Sequence, residues 1–214
     1  MKIFIGFDPR EAVAYHTCVH SIIETSRDPT KLEFSPVVGP RRDGSNDFIY
    51  ARFIVPELCG YRGHAIFMDG DMIVRAPIED LYDLRRHDVG VQVVKHDYKT
   101  KHPTKYLGNK NEDYPRKNWS SVVLWNCAFY PNRLLTSDYV AKATGAHLHR
   151  FGWLKDEQIG ELPDSWNRLV LEQDVQEGDQ LLHYTIGTPC FQEYADCDHA
   201  EEWHAVRKRA NAPC

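Results

Sequence analysis

Asp69 and Asp71 stand one residue apart across Gly70, in the stretch FMDGDMIV at residues 67–74. Apolar residues flank the pair, so two carboxylates sit at the end of what reads as a buried strand. Unpaired carboxylates taken out of water repel one another, and each is costly to desolvate. A divalent cation removes both penalties, and carboxylate oxygens suit magnesium and manganese. On an extended segment residues i and i+2 face the same way, and Gly70 lets a ligand approach the backbone. A bare Asp-x-Asp is most often a surface turn. The strand-like AIFM before this one and MIV after it set it apart. His183, closing the late apolar run QLLHY, is the expected third ligand, and imidazole beside two carboxylates favours manganese over magnesium.

The elements that must position these groups follow from hydrophobic periodicity. KIFIGF (2–7) reads as a strand ending in a loop at Phe7-Asp8-Pro9. Arg10 to Thr25 has helical spacing, with Val13, Cys18, Val19, Ile22 and Ile23 as the apolar stripe. LEFSPVV (32–38) is a second strand, leading into a loop with Arg41, Arg42, Asp43 and Gly44. Asn46 or Asp47 caps a helix running to Leu58. HAIFM (64–68) is a third strand and ends at the aspartates. Pro77 starts a short helix toward Leu84, and VGVQVV (89–94), SSVVLW (120–125) and QLLHY (180–184) are further strands. HAEEWHAVRKRA (199–210) is a helix whose acidic start and basic end suit the helix dipole. Strands alternate with helices early in the chain, which predicts an α/β domain with a mixed, mainly parallel central sheet flanked by helices. In such sheets the ligand crevice lies beyond the carboxyl ends of the strands. Phe7-Asp8, Asp69-Gly70-Asp71 and His183-Tyr184 are all expected there. Neither a repeat nor a linker interrupts the chain, so one domain is expected over 1–214. Residues 95–118, polar and with six lysines, read as a long mobile loop. Its Tyr98, Tyr106 and Tyr114, with Trp119 just beyond, are aromatic rings with polar tips, which suit a lid over a bound ligand.

Two enzyme classes place an aspartate pair after a strand. Dehalogenase-type phosphatases use it as nucleophile and acid/base, usually after the first strand and with a Thr soon after. Nucleotide-sugar glycosyltransferases use it to hold a metal on the diphosphate. Here the pair follows the third strand and Met72, Ile73 and Val74 come next, which favours the glycosyltransferase. The phosphatase stays as the alternative, beside a catalytically inactive nucleotide-sugar binder.

At this point the sequence resembles a GT-A glycosyltransferase of the family 8 type, the group of glycogenin and the lipopolysaccharide galactosyltransferases. The resemblance rests on IFIGFDPREAVAY (3–15), YARFIVPEL (50–58), AIFMDGDMIV (65–74), SSVVLWN (120–126), LPDSWN (162–167) and HYTIGTPCF (183–191), six segments in the family's order. It implies a UDP-sugar donor and an unassigned glycan, lipid-linked or protein acceptor. Asp69, Asp71 and His183 would hold manganese, with magnesium as the alternative. Phe7 and Asp8 would border the uracil, with Arg52 near the donor and the first carboxylate. Ser120 and Ser121 would line the sugar pocket, although the family's Asn-Ser-Gly is not reproduced. Gly187 and Thr188 fall at the segment that meets the donor diphosphate, where Thr188 replaces the family's lysine. The missing charge must come from elsewhere, and Lys95, Lys99, Lys101, Lys105 and Arg10 are the candidates. The resemblance also implies retention at the anomeric carbon. A double displacement needs a nucleophile, for which Asp156, Glu157 and Asp97 are the nominees. Front-face attack, with the leaving diphosphate taking the acceptor proton, needs none of them.

The rest of the composition is consistent with this. Of 214 residues 42% are hydrophobic and 27% charged, with a formal net charge of −5. There is no basic excess to suggest a nucleic-acid partner. No run is long enough for a membrane span, and the opening apolar run is too short for a secretion signal, so a cytoplasmic protein is expected. The six cysteines are scattered without a Cys-x-x-Cys pair, so free thiols are expected rather than a structural zinc site.

Overall fold

The computed structural model describes residues 1–39 and 46–211; the loop residues Arg41 to Gly44 and Cys214 lie outside them. The described chain runs β1 (Lys2–Gly6), α1 (Ala12–Thr25), β2 (Glu33–Val37), α2 (Val55–Leu58), β3 (His64–Met68), β4 (Met72–Val74), α3 (Ile78–Asp83), β5 (Val91–Val93), β6 (Val122–Asn126), α4 (Ser137–Lys142), α5 (Gly145–His149), β7 (Ile159–Glu161), β8 (Arg168–Leu169), β9 (Leu181–His183) and α6 (Ala200–Ala210). Six strands form a central sheet in the order β2-β1-β3-β6-β5-β7. β6 pairs antiparallel with β3 and β5, and the other pairings are parallel. The sheet is therefore mainly parallel with one reversed strand.

Both faces of this sheet are covered, which is why β1 and β3 read as continuous apolar runs rather than alternating ones. The pleat sends successive side chains to opposite faces. Phe4, Phe67, Val123 and Trp125 face a core completed by Phe53, Leu148 and Phe151. Ile3, Ile5, Ile66, Met68, Val122 and Leu124 face the other, completed by Cys18, Ile22 and Trp166. The buried face of α1 is Ala14, Thr17, Cys18, Ser21 and Ile22, one step round from the expected stripe, and Val13 and Ile23 are exposed. Polar Ser21 belongs on the inner face because its Oγ accepts the Val74 amide at 2.9 Å.

Two expectations are corrected. The helix expected from Asn46 to Leu58 is instead turns, a short 3₁₀ segment at Ala51–Ile54 and the single turn of α2. Pro56 has no amide to give to the carbonyl of residue 52, which breaks a continuous helix, and Phe48, Tyr50 and Phe53 are drawn into the core. The late strand does not extend the central sheet. β9 forms a separate three-stranded sheet with β4 and β8, in the order β4-β9-β8. Ile73, Leu182, Val170 and Tyr184 pack there with Trp203 of α6.

Candidate active site

The Asp-Gly-Asp segment is the crossing between the two sheets. The Asp69 amide donates to the Ser121 carbonyl at 2.9 Å, carrying the β3–β6 ladder one step further. The Asp71 carbonyl accepts from the Tyr184 amide at 2.9 Å, starting the β4–β9 ladder. Gly70 is required at the crossing, because a Cβ there would stand 2.4 Å from the Gly6 carbonyl oxygen. His183 thus reaches the aspartates from the small sheet, not from a strand end of the central sheet as its sequence position suggested.

One ligand atom from each of Asp69, Asp71 and His183 lies within 4.8 Å of the others. His183 Nε2 is 3.3 Å from Asp71 Oδ1. Its Nδ1 is 3.0 Å from Asn167 Oδ1; a carbonyl oxygen can only accept, so Nδ1 carries the proton and Nε2 presents its lone pair to the cluster. Asn167 is fixed in turn, its Nδ2 donating to Ser121 Oγ at 2.8 Å, while Ser121 Oγ donates to the Asn118 carbonyl at 2.6 Å. Asp69 Oδ1 and Asp71 Oδ1 are buried without a well-aligned hydrogen bond. Arg52 Nη1 lies 2.8 Å from Asp69 Oδ1 and donates to the Ser120 carbonyl at 2.9 Å. Burial pushes the Asp69 carboxyl up, Arg52 opposes that and Asp71 adds to it. For Asp71 burial is the largest effect and works against the charged form, but His183, Lys105 and a backbone amide together carry the net direction down. Two oxygen donors and one oriented imidazole, with Asp71 Oδ1 buried and without a hydrogen bond, fit a divalent cation with open positions.

These groups line a cavity of about 350 Å³. Arg52, Ser120 and Ser121 line it with the cluster, as do Lys105, Tyr106, Tyr114, His149 and Thr185. Of the lysines nominated for the missing charge, Lys105 is the one in the cavity wall. Its Nζ donates to Thr185 Oγ1 at 3.3 Å. Burial draws its pKa down, neighbouring Lys117 adds to that, and Asp71 and Asp69 work the other way. His149 was not signalled by any motif. Its Nδ1 is 2.7 Å from Ser120 Oγ, and burial with Arg52 nearby pushes it down to about 3, so the ring is neutral near neutral pH. Asn167 lay inside the quoted LPDSWN, yet nothing in that string marks it as the partner of His183.

Other nominees lie elsewhere. The Asp8 carboxylate is engaged by Arg10, with Arg10 Nε and the Arg10 amide each 2.9 Å from Oδ1, and by the Asp47 amide at 3.2 Å from Oδ2. Arg10 is thus drawn onto Asp8. With Gly70 and Glu11, Asp8 still borders a small cleft, and Asp71 lines both that cleft and the main cavity. Phe7 packs edge-on against Tyr15 at 5.3 Å. Gly187 and Thr188 are buried outside the cavity lining, and Thr188 Oγ1 turns to Cys190 Sγ at 2.8 Å. The expected nucleophiles are not brought in. Asp97 and Glu157 are exposed, and Asp156, with its side chain 86% exposed, pairs with Arg116 at 2.6 Å.

No family model matches the chain. It is 41% identical over 219 residues to Protein CDI of Arabidopsis thaliana, a match covering 94% of this chain and 84% of that protein. Among solved structures, the bifunctional glycosyltransferase WbbM superposes with a TM-score of 0.73 at 15% identity, covering all of this chain and half of that one. Galactosyltransferase LgtC, solved with donor and acceptor sugar analogues, superposes with a TM-score of 0.65 at 13% identity, covering 100% of this chain and 98% of that one. GlyE of Streptococcus pneumoniae TIGR4 gives 0.63 at 14% identity, over 96% and 59%. The fold is therefore the GT-A glycosyltransferase fold, not that of the dehalogenase phosphatases. Among the described residues no helix is long and apolar enough to cross a membrane.

Proposed function

The chain belongs to the family of Protein CDI from Arabidopsis thaliana, and from that premise and the cavity's chemistry we propose that it transfers a sugar from a nucleoside-diphosphate donor to a hydroxyl-bearing acceptor. The observation that carries this reading is the placement of Asp69, Asp71, His183 and Lys105 in the wall of one cavity. Two carboxylates and an imidazole suit a divalent cation, manganese before magnesium, and Lys105 adds a positive charge on the same cavity. That combination suits a diphosphate, which carries several negative charges on a short span. The family 8 type of enzyme, with a UDP-sugar donor, is the member of this class that the order of sequence motifs favours.

Asp69, Asp71 and His183 would hold the cation, which when bound supplies Lewis-acid stabilisation of charge on the departing diphosphate. The rest falls to the protein. Asn167 holds His183 in the tautomer that presents Nε2. Arg52 orients Asp69 from behind while tying it to Ser120, just ahead of β6. Lys105 neutralises leaving-group charge where the sequence has Thr188 in place of a lysine. Ser120 and His149 give the donor sugar hydroxyl-matching groups. Among the described residues, the carboxylates lining the main cavity are Asp69 and Asp71, both of the metal cluster. Retention by front-face attack needs no further carboxylate and accords with the positions of Asp97, Asp156 and Glu157.

The test is a panel of UDP-sugars with manganese, read by release of UDP and by transfer to simple glycoside acceptors. Donor turnover that vanishes in the Asp71→Asn variant is the expected result. Binding of UDP with neither hydrolysis nor transfer for any donor would convert the reading to that of an inactive binder.

A further inference from the structure

Lys105 sits near the tip of a small hairpin whose root is clamped by one buried carboxylate. Thr104 and Lys110 form an isolated antiparallel bridge, the Lys105 amide donates to the Asn109 carbonyl at 2.7 Å, and Leu107 and Gly108 turn the chain with φ of 56° and 69°. The tip is docked beside the metal cluster: the Tyr106 amide donates to the Ile186 carbonyl at 2.8 Å, and Tyr106 stacks on Phe191 at 5.3 Å. At the root stands Glu172, its side chain fully shielded from solvent. Its Oε1 accepts from Thr100 Oγ1 at 2.8 Å and Asn111 Nδ2 at 3.0 Å, and its Oε2 accepts from the Lys101 amide at 2.7 Å. Asn111 closes the other side, its Oδ1 accepting from Lys117 Nζ at 2.7 Å.

We propose that Glu172 is a positioning residue for donor binding: it clamps the root of the 103–111 hairpin and so holds Lys105 over the metal cluster. The inference rests on the glycosyl-transfer reading for what Lys105 meets, and on geometry alone for the clamp. Glu172 follows β8, which pairs in parallel with β9, the strand carrying His183. The small sheet thus supplies a metal ligand, and the turn that leaves its β8 edge supplies the anchor of the phosphate-facing cation. Tyr106 is the hairpin's buried apolar anchor, at its tip, and the polar root loses conformational freedom when it orders. A buried carboxylate accepting three hydrogen bonds is strong enough to hold it: removing it strips the Lys101 amide of its acceptor and leaves Thr100 Oγ1 and Asn111 Nδ2 only the His102 carbonyl and each other. With the hairpin already ordered, the donor meets a pre-placed charge and does not have to order the loop on binding.

Calorimetric titration of UDP at saturating manganese on wild type, E172A, K105M and the double variant tests this. Losing the charge at Lys105, or its placement, is expected to weaken UDP about tenfold. The double variant is expected to bind no more weakly than K105M, since Glu172 acts through Lys105. Trypsin is expected to cut E172A after Lys99, Lys101 and Lys105 far faster than wild type. N111A carries the same measurements should E172A fail to fold. Unchanged UDP affinity in E172A, losses that multiply in the double variant, or unchanged trypsin cleavage each overturn the proposal. A wild type that binds no UDP with manganese overturns the donor reading instead, and the trypsin comparison then decides the clamp by itself.

Discussion

At the scale of single residues, the site depends on hydrogen bonds one step behind the groups that do the chemistry. Asn167 fixes the His183 tautomer, and Ser121 fixes Asn167. Groups in such positions typically control metal affinity by about 10- to 100-fold. Asn167→Leu is therefore expected to weaken manganese binding by about that factor while leaving the fold intact, measured by calorimetric titration of the metal with UDP present. His149 gives a pH-dependent prediction. Its imidazole is neutral in the folded chain and pushed down to about 3, against 6.5 for the ordinary side chain. Between those values the unfolded chain binds the proton and the folded chain does not. Stability therefore falls as pH drops below about 6.5 and keeps falling toward 3. Integrated to pH 5 the loss from this one group is about 2 kcal/mol. Urea unfolding at pH 7.5 and pH 5 should show His149→Gln losing less stability than wild type over that interval; equal losses would place the ring's protonation elsewhere.

Elements decide where these residues meet. The chain leaves the central sheet at Asp69 and enters the small sheet at Asp71, so the carboxylates are held by two hydrogen-bond ladders at once. Gly70 makes this crossing possible. A methyl group there collides with the Gly6 carbonyl oxygen and forces β1 and β3 apart. Gly70→Ala is expected to cost about 3 kcal/mol or more, in the range of overpacked cores. Lost manganese-dependent UDP binding should accompany a lowered midpoint in thermal denaturation. A variant that melts and binds like wild type would show that the crossing relaxes freely. Pro56 works at this scale too, dividing what the polar–apolar pattern joined into a single helix.

For the whole molecule, two apolar cores on either face of the central sheet hold a cavity at one end of it, against a third, smaller core under α6. A ligand that binds only the folded state stabilises it by mass action. At a hundred times its dissociation constant the gain is about 2.7 kcal/mol, which for a chain of this size raises the melting temperature by roughly 5–10 °C. UDP and manganese together should produce that shift, either alone much less, and a chelator should cancel it. A shift from UDP that survives the chelator would remove the metal from the binding step.

The sequence by itself determined the α/β class with its mainly parallel sheet, because strand and helix periodicities are local and strong in KIFIGF, HAIFM and residues 10–25. It also singled out Asp69, Asp71 and His183 as a possible ligand set, because carboxylates at the end of an apolar strand are expensive anywhere else. The tertiary structure alone decided how His183 arrives, through β9 pairing with β4 in a second sheet, since strands this short carry no signal of which sheet they join. It chose Lys105 among five cationic nominees and drew in His149, because proximity across 36 to 80 residues of chain depends on loop paths that local pattern does not encode. It left Asp97, Asp156 and Glu157 outside the cavity for the same reason: a carboxylate's type is written in the sequence, but its distance from the reacting bond is set only when the chain has packed.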